Sequence, residues 1–297
     1  MIRPGVLAAI CAVVLMAVPF AAAAQTVSAP SVPPQARGLE VPPAGVTQEL
    51  ILKDGTRAYG RIDRIDGSRL TFRTTAGILI EADVAQVESV RTVTGRTVGS
   101  TFYREDPNPT RLFFGPTGRS LRQGQGYVAV YEVMLPFVQV GLTDRISVGA
   151  GTPILFGGGS DHPFWITPKV QVLSRPNTQA AVGVMHFMNV GDGNLGIAYG
   201  VVTQGTSDTA FTVGAGYAYT RTSGEVDGAA LGMVGGEHRV SRRVKLITEN
   251  YIFNGGGLAS VGVRFLGEHL AADLGLVVPL GVGEAIAFPI VNFLWQF

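Results

Sequence analysis

Apolar and small residues alternate along most of the chain after residue 110. Phe211, Val213, Ala215, Tyr217 and Tyr219 fall on one face, and Thr212, Gly214, Gly216, Ala218 and Thr220 on the other. Period two is the mark of a β-strand. The same split separates Leu195, Ile197, Tyr199 and Val201 from Gly196, Ala198 and Gly200, and Ile146, Val148, Ala150 and Ile154 from Ser147, Gly149 and Gly151. A soluble β-sandwich would place Lys, Glu and Asp on its outer faces, whereas here the second face is Gly, Ala, Ser and Thr. That chemistry predicts a closed antiparallel barrel with its bulky apolar face toward lipid and its small, weakly polar face inward. A Gly-rich secreted β-sheet is the soluble alternative.

The strand-like stretches are joined alternately by tight and by longer polar connections. Tight candidates are 142–145, 175–178, 205–208, 241–243 and 267–269; looser ones are 115–126, 157–163, 191–194, 223–227, 254–257 and 281–285. Short turns on one side and longer loops on the other are the pattern of a membrane-spanning barrel, and counting back from Phe297 gives about twelve strands, the first at Arg111–Gly115. The barrel is expected over residues 111–297. On the last predicted strand, FPIVNFLWQF, Val291, Phe293, Trp295 and Phe297 share one face, leaving Asn292 and Gln296 for the other. This ending resembles the last strand of bacterial outer-membrane β-barrels. The resemblance implies that Phe293, Trp295 and Phe297 form an assembly signal read by the barrel-assembly machinery, and that the protein sits in the outer membrane among its lipids.

A different texture precedes the barrel. Residues 46–95 carry short β-runs divided by Asp54-Gly55, Asp66-Gly67 and Ala76-Gly77, which read as successive hairpins. Leu50, Ile51, Leu52, Ile62, Ile65, Leu70, Phe72, Ile78 and Ile80 supply a small core. The pattern resembles an SH3-like or Sm-like small β-barrel of about five strands, which implies a periplasmic module that docks to peptidoglycan, a lipoprotein or a copy of itself. Its mixed-charge surface, with Lys53, Arg57, Arg61, Arg64, Arg69 and Arg73 beside Asp54, Asp63, Asp66 and Glu81, otherwise reads as a solvated face. Polar residues 96–110 read as a linker. Residues 25–45, with five prolines, read as a second one. Residues 1–24 read as a secretory signal peptide: Arg3, an apolar stretch from Val6 to Phe20, then small residues to Ala24.

Composition narrows the function. Lys and Arg number 23 against 22 Asp and Glu, so the net charge of +1 gives no field for nucleic acid. Charged residues are only 15% while glycines number 40, and no apolar run after residue 24 approaches the roughly 20 residues of a membrane helix. Low charge without such helices leaves a barrel as the membrane solution. Cys11 is the only cysteine and lies within the signal region, which removes disulfides, thiolate catalysis and Cys-ligated metals from the secreted chain.

Ionisable residues within strands should point into the lumen, because a charge toward lipid costs about 2–4 kcal/mol at the midplane. Glu132, Lys169, Glu237, Arg239, Glu249, Arg264 and Asp273 are the candidates. A mixed-sign set forms ion pairs that brace a narrow barrel, or lines a selective pore. His186 is expected to hydrogen-bond in the lumen. A lipid-modifying hydrolase would need a His and a Ser with a third orienting group, and the sequence leaves His186 apart from Ser207, Ser223 and Ser241. No His pair at i, i+2 suggests a metal, and no cofactor motif is present: Gly157–Gly159 and Gly255–Gly257 lack the helix and the Lys-Ser/Thr of a phosphate loop. The stretch NPTRLFFGPTGR, Asn108 to Arg119, resembles the opening of uncharacterised bacterial outer-membrane barrel proteins, which implies membership without an activity. The reading is a non-enzymatic outer-membrane barrel, structural or a narrow porin-like channel, with the hydrolase and a soluble ligand-binding β-protein as alternatives.

Overall fold

The computed structural model describes residues 39–154, 162–222, 224–281 and 286–297. The expected signal peptide, most of the Pro-rich linker and Gly157–Gly159 lie outside the described residues. The chain divides into two units between Glu105 and Asp106.

The first unit is a five-stranded antiparallel sheet. Strands β1 (Thr47–Leu52), β2 (Arg57–Asp66), β3 (Arg69–Thr74), β4 (Leu79–Asp83) and β5 (Val87–Val93) are ordered β4-β3-β2-β1-β5. The two Asp-Gly turns fall where expected, with Gly55 and Gly67 at φ +86° and +59°, a region that only glycine enters without strain. Leu50, Ile62, Leu70, Phe72, Val87 and Val90 form the buried core. A single 3-10 turn, Val84–Gln86, joins β4 to β5 and is capped by Asp83, whose carboxylate accepts from the Ala85 N–H at 2.8 Å. The expected linker at 96–110 is different. Its first part forms a hairpin, β6 (Gly95–Val98) and β7 (Thr101–Arg104), held to the sheet by Phe102 stacked on Tyr59 at 5.0 Å and by Arg104 bonded to Glu49 at 2.9 Å. Polarity along 96–104 reflects an exposed hairpin rather than unstructured chain.

The second unit is a closed antiparallel barrel. Its wall runs through β8 (Gly126–Tyr131), β9 (Leu135–Gly141), β10 (Ile146–Gly151), β11 (Phe164–Ile166) with β12 (Lys169–Arg175), β13 (Thr178–Val190), β14 (Gly193–Gly205), β15 (Thr209–Thr222), β16 (Glu225–Arg239), β17 (Val244–Phe253), β18 (Gly256–Leu266), β19 (Leu270–Leu280) and β20 (Phe288–Gln296). β20 pairs with β8, and β9 with β10, so the sheet closes. β11 and β12 are two pieces of one wall strand, since both pair with β10 and β13. Proline has no N–H to give the ladder. The break falls at Thr167–Pro168, where the Thr167 N–H still donates to Gly149 O (2.8 Å) and Pro168 O still accepts from Val184 N–H (3.1 Å). Counted this way the wall has the twelve strands expected, but not the same twelve.

Two departures cancel in that count. Arg111–Gly115, expected as the first wall strand, is not in the wall. Residues 127–141, expected as one strand, fold back as the hairpin β8–β9 around Glu132 and Val133, both in the left-handed region at φ 50° and 63°. Left-handed backbone is uncommon for Glu and Val, so the residue types gave no turn signal. Glu132 is therefore a turn residue rather than a strand residue: its N–H donates to the Asn292 side chain at 3.3 Å.

Outward positions on β15, β19 and β20 are as expected, with Phe211, Val213, Tyr217, Leu274, Leu276, Phe293, Trp295 and Phe297 exposed. β14 is inverted. Its Thr203 hydroxyl meets Thr212 at 2.8 Å inside the barrel, and a Cβ on Gly183 would touch the Tyr199 ring. Leu195, Ile197, Tyr199 and Val201 thus face the lumen, and Gly196, Ala198 and Gly200 face outward. Alternation defines two faces but does not say which one a narrow, side-chain-filled interior will take.

Candidate functional site in the barrel lumen

The segment Asp106–Leu121 occupies the lumen. It folds as a hairpin: the Thr117 N–H donates to Thr110 O (2.9 Å), the Leu112 N–H to Gly115 O (2.9 Å), and Arg111 bridges Pro116. Thr110, Leu112, Phe113 and Thr117 are completely buried. Its ends bond residues beside the tight connections, Asp106 to Lys245 (2.5 Å) and Arg119 to Glu237 and to Thr206 O (2.7 Å). Its turn reaches Glu249 in mid-strand, so the hairpin enters from the end of the barrel that carries the tight turns.

Most of the grip is on backbone. The Glu249 Oε2 atom accepts the N–H groups of Phe113, Phe114 and Gly115 at 2.8, 3.0 and 2.9 Å, while its Oε1 accepts from the Tyr251 hydroxyl at 2.9 Å. Arg264 donates to the carbonyls of Asn108 (2.7 Å), Arg111 (3.2 Å) and Leu112 (2.5 Å). Lys169 donates to the carbonyls of Arg119 (2.6 Å), Thr110 (3.4 Å) and Thr117 (3.5 Å). Gln171 donates to Gly118 O and Thr203 accepts from Gly118 N–H, both at 2.9 Å. Asn292 donates to Phe113 O at 3.3 Å. Hairpin backbone sealed from water needs such partners, since each buried N–H or C=O left bare costs about 1–3 kcal/mol.

Side chains add a charged layer at the hairpin's base. Lys245 joins Asp106 to Glu237 (2.5 and 2.8 Å), and Arg264 grips Asp273 through two contacts of 2.6 and 2.9 Å while lying 3.4 Å from Asp106. Arg264 and Asp273 are direct cross-strand partners. Arg264 and Lys245 have no exposed surface, and buried charge is tolerated only when it is paired and fully hydrogen-bonded. Arg111, on the hairpin, meets that need with neutral groups: the Tyr127 hydroxyl (3.0 Å), Gln139 Oε1, Thr167 Oγ1, Phe114 O (2.8 Å) and the Phe137 ring face at 4.9 Å. Around the turn the walls become apolar, with Leu112 and Phe113 packed among Ile247, Leu258, Val277 and Ile290.

Lys169, Glu237, Arg264 and Asp273 thus converge in the lumen, but they hold an inserted segment rather than each other alone. Glu132 lies at the β8–β9 turn. His186 is not in the lumen: it shares a cross-strand row with Gly196 and Tyr219 on the outward face, its Nδ1 2.8 Å from the Tyr219 hydroxyl and the rings stacked over the missing side chain of Gly196. The lumen expectation rested on its place within a strand, and the register of β13 against β14 turns this position outward. Phe293 and Trp295 face outward, and Phe297 exchanges backbone hydrogen bonds with Gly126 at 2.9 and 3.1 Å. Sequence reasoning missed the roles of Asp106, Arg111, Arg119, Gln139, Gln171 and Lys245. One signal was available, because Leu112-Phe113-Phe114 breaks the alternation and Gly115-Pro116 is a turn pair. Among the described residues no group of three or more His, Cys, Asp or Glu could hold a metal ion.

No protein-family model and no curated protein matches the chain. Solved structures similar to it are outer-membrane barrels. A loop-deleted form of OmpT, an outer membrane protein of Vibrio cholerae, is 13% identical over 85% of this chain and 96% of that chain, with a TM-score of 0.38. The NanC porin is 7% identical over 58% of this chain and 97% of that chain, TM-score 0.39. OmpF of Salmonella typhi in complex with daunomycin is 9% identical over 85% and 96%, TM-score 0.32.

Proposed function

We propose that this chain is a non-enzymatic outer-membrane β-barrel protein that rests in a closed state, its lumen filled by its own residues 106–121, and that conducts only as a narrow channel. The observation that carries this reading is the combination of an outward belt of exposed apolar side chains with an inward set of charges spent on the hairpin. Residues 1–24 serve as the export signal, and the aromatic face of Phe293, Trp295 and Phe297 is the assembly signal. The small unit is an SH3-like module, supported by its five-strand order and the 3-10 turn before β5; its mixed-charge surface suits docking to peptidoglycan or a periplasmic protein. Reconstituted in a planar bilayer, the full chain should migrate heat-modifiably on gels and pass no steady current. A protein that stays soluble without detergent overturns the membrane reading, and a wide constant conductance overturns the closed state.

The hydrolase reading has one observation in its favour: His186 meets the Tyr219 hydroxyl on the lipid-facing surface. His186→Ala that abolishes lipid turnover by the purified protein would establish it; unchanged lipid profiles would remove it.

A further inference from the structure

We infer that the polar half of the lumen is a binding site for a β-hairpin peptide, recognised through its backbone, and that residues 106–121 are its ligand in cis, able to leave and return. The inference rests on the barrel reading above and adds what the lumen recognises. The hairpin groups that Glu249, Arg264, Lys169, Gln171, Thr203 and Asn292 bind are N–H and C=O groups, twelve of them named above, which any sequence of the same turn presents. Polar side-chain recognition is concentrated at the base and one cation, Asp106 on Lys245, Arg119 on Glu237, and Arg111 among Tyr127, Gln139 and Thr167, while Leu112 and Phe113 add apolar packing at the turn. The hairpin's own contacts, Thr117 to Thr110 and Leu112 to Gly115, define its shape without the wall.

A wall strand cannot play this part, because its backbone is committed to two neighbours along its length. Residues 106–121 instead present their backbone to side chains. Each of those side chains could bond water once the hairpin left, so leaving costs far less than unzipping a strand. The vacated path would be lined by Lys169, Gln171, Glu237, Lys245, Glu249 and Arg264, a mixed-sign polar surface suited to small hydrophilic solutes. Attachment at both ends holds the hairpin near its site at an effective concentration in about the millimolar range, which keeps the closed state dominant. A free peptide therefore competes visibly only when the tethered copy is absent.

The test replaces residues 106–121 in the full chain by a Gly-Ser segment of equal length and adds a synthetic peptide of the natural 106–121 sequence. In a planar bilayer the altered chain should conduct, and the peptide, added on the side of the tight turns, should close it. Arg119→Ala in the peptide should weaken closure about tenfold, since it removes a charge-assisted contact, whereas a peptide of scrambled order should not close it. A conducting barrel that the natural peptide leaves open, or that the scrambled peptide closes equally, overturns the inference. If the altered chain does not fold, the intact chain decides: Glu249→Gln should give bursts of current and increase thiol labelling at Ser120→Cys. Silence with no change in labelling overturns the inference. A full chain that never enters the bilayer defeats the barrel reading instead.

Discussion

Glu49 of the small unit and Glu249 of the barrel are both enclosed carboxylates, and their partners differ in kind. Glu49 gathers cations: Arg91 and Arg104 at 2.8 and 2.9 Å, with Arg57 at 3.9 Å. Burial pushes its carboxyl up, but the Tyr59 hydroxyl and the Arg104 and Arg91 guanidinium groups more than reverse this and hold it below the usual carboxylate range. Glu249 gathers backbone N–H groups. The first arrangement depends on which residues stand nearby, the second on the shape of the chain it faces. An ion cluster fixes β2, β5 and β7 to one another. An amide-binding carboxylate instead makes a seat that a hairpin of suitable turn can fill.

The sharpest way to break this contrast is Glu249→Ala. Three enclosed N–H groups lose their acceptor, at about 1–3 kcal/mol each before water enters; the heat-modification midpoint should fall and protease should cut within 106–121. Glu249→Gln, which keeps an acceptor, should lose about half as much. Glu49→Ala should cost about 1–2 kcal/mol, less than a fully buried pair, because the arginines around it are partly in water. Hydrogen exchange of residues 47–93 in the full chain would register it. Acid should mimic that change. With its folded value depressed, Glu49 contributes fully above its unfolded value of about 4.3 and loses that contribution as pH falls through the folded value. Protection of β1 and β5 should drop in that window, and Glu49→Gln should flatten the profile. The smallest effect expected is that of His186→Ala, within about 0.5 kcal/mol on thermal stability, because the Tyr219 hydroxyl it leaves can turn to water or headgroups.

Much of the wall was legible in the sequence because period two and connection length act locally. The outward face of β20, the tight turn at 142–145 and the Asp-Gly turns of the small unit follow from side-chain direction and backbone freedom. Facing was legible only where the two faces differ in bulk and polarity together. On β14 the bulky set turns inward because Tyr199 finds the space left by Gly183 on the next strand, a fact held by two strands jointly. The lumen charges were identified one at a time from the cost of turning a charge toward lipid, yet their partner was hidden. Backbone carbonyls and amides leave no mark in a sequence, so nothing about Lys169 or Arg264 announces that each binds a carbonyl of residues 108–119. The turn at Glu132 was hidden for a similar reason, since its left-handed residues are not those that favour such turns.

The pairing of β20 with β8 joins the first and last wall strands, so Leu294 meets Ala129 and Phe297 meets Gly126 across nearly the whole barrel unit. Contacts so distant in sequence form late. Until they form, two strand edges stand open, each able to pair with another chain. The hairpin immediately precedes β8 and lies inside the ring that this seam completes. Either the sheet curls around it before the seam is made, or the hairpin threads in afterwards from the end with the tight turns. Time-resolved protection of Arg111 against that of Phe297 during assembly would show which event comes first.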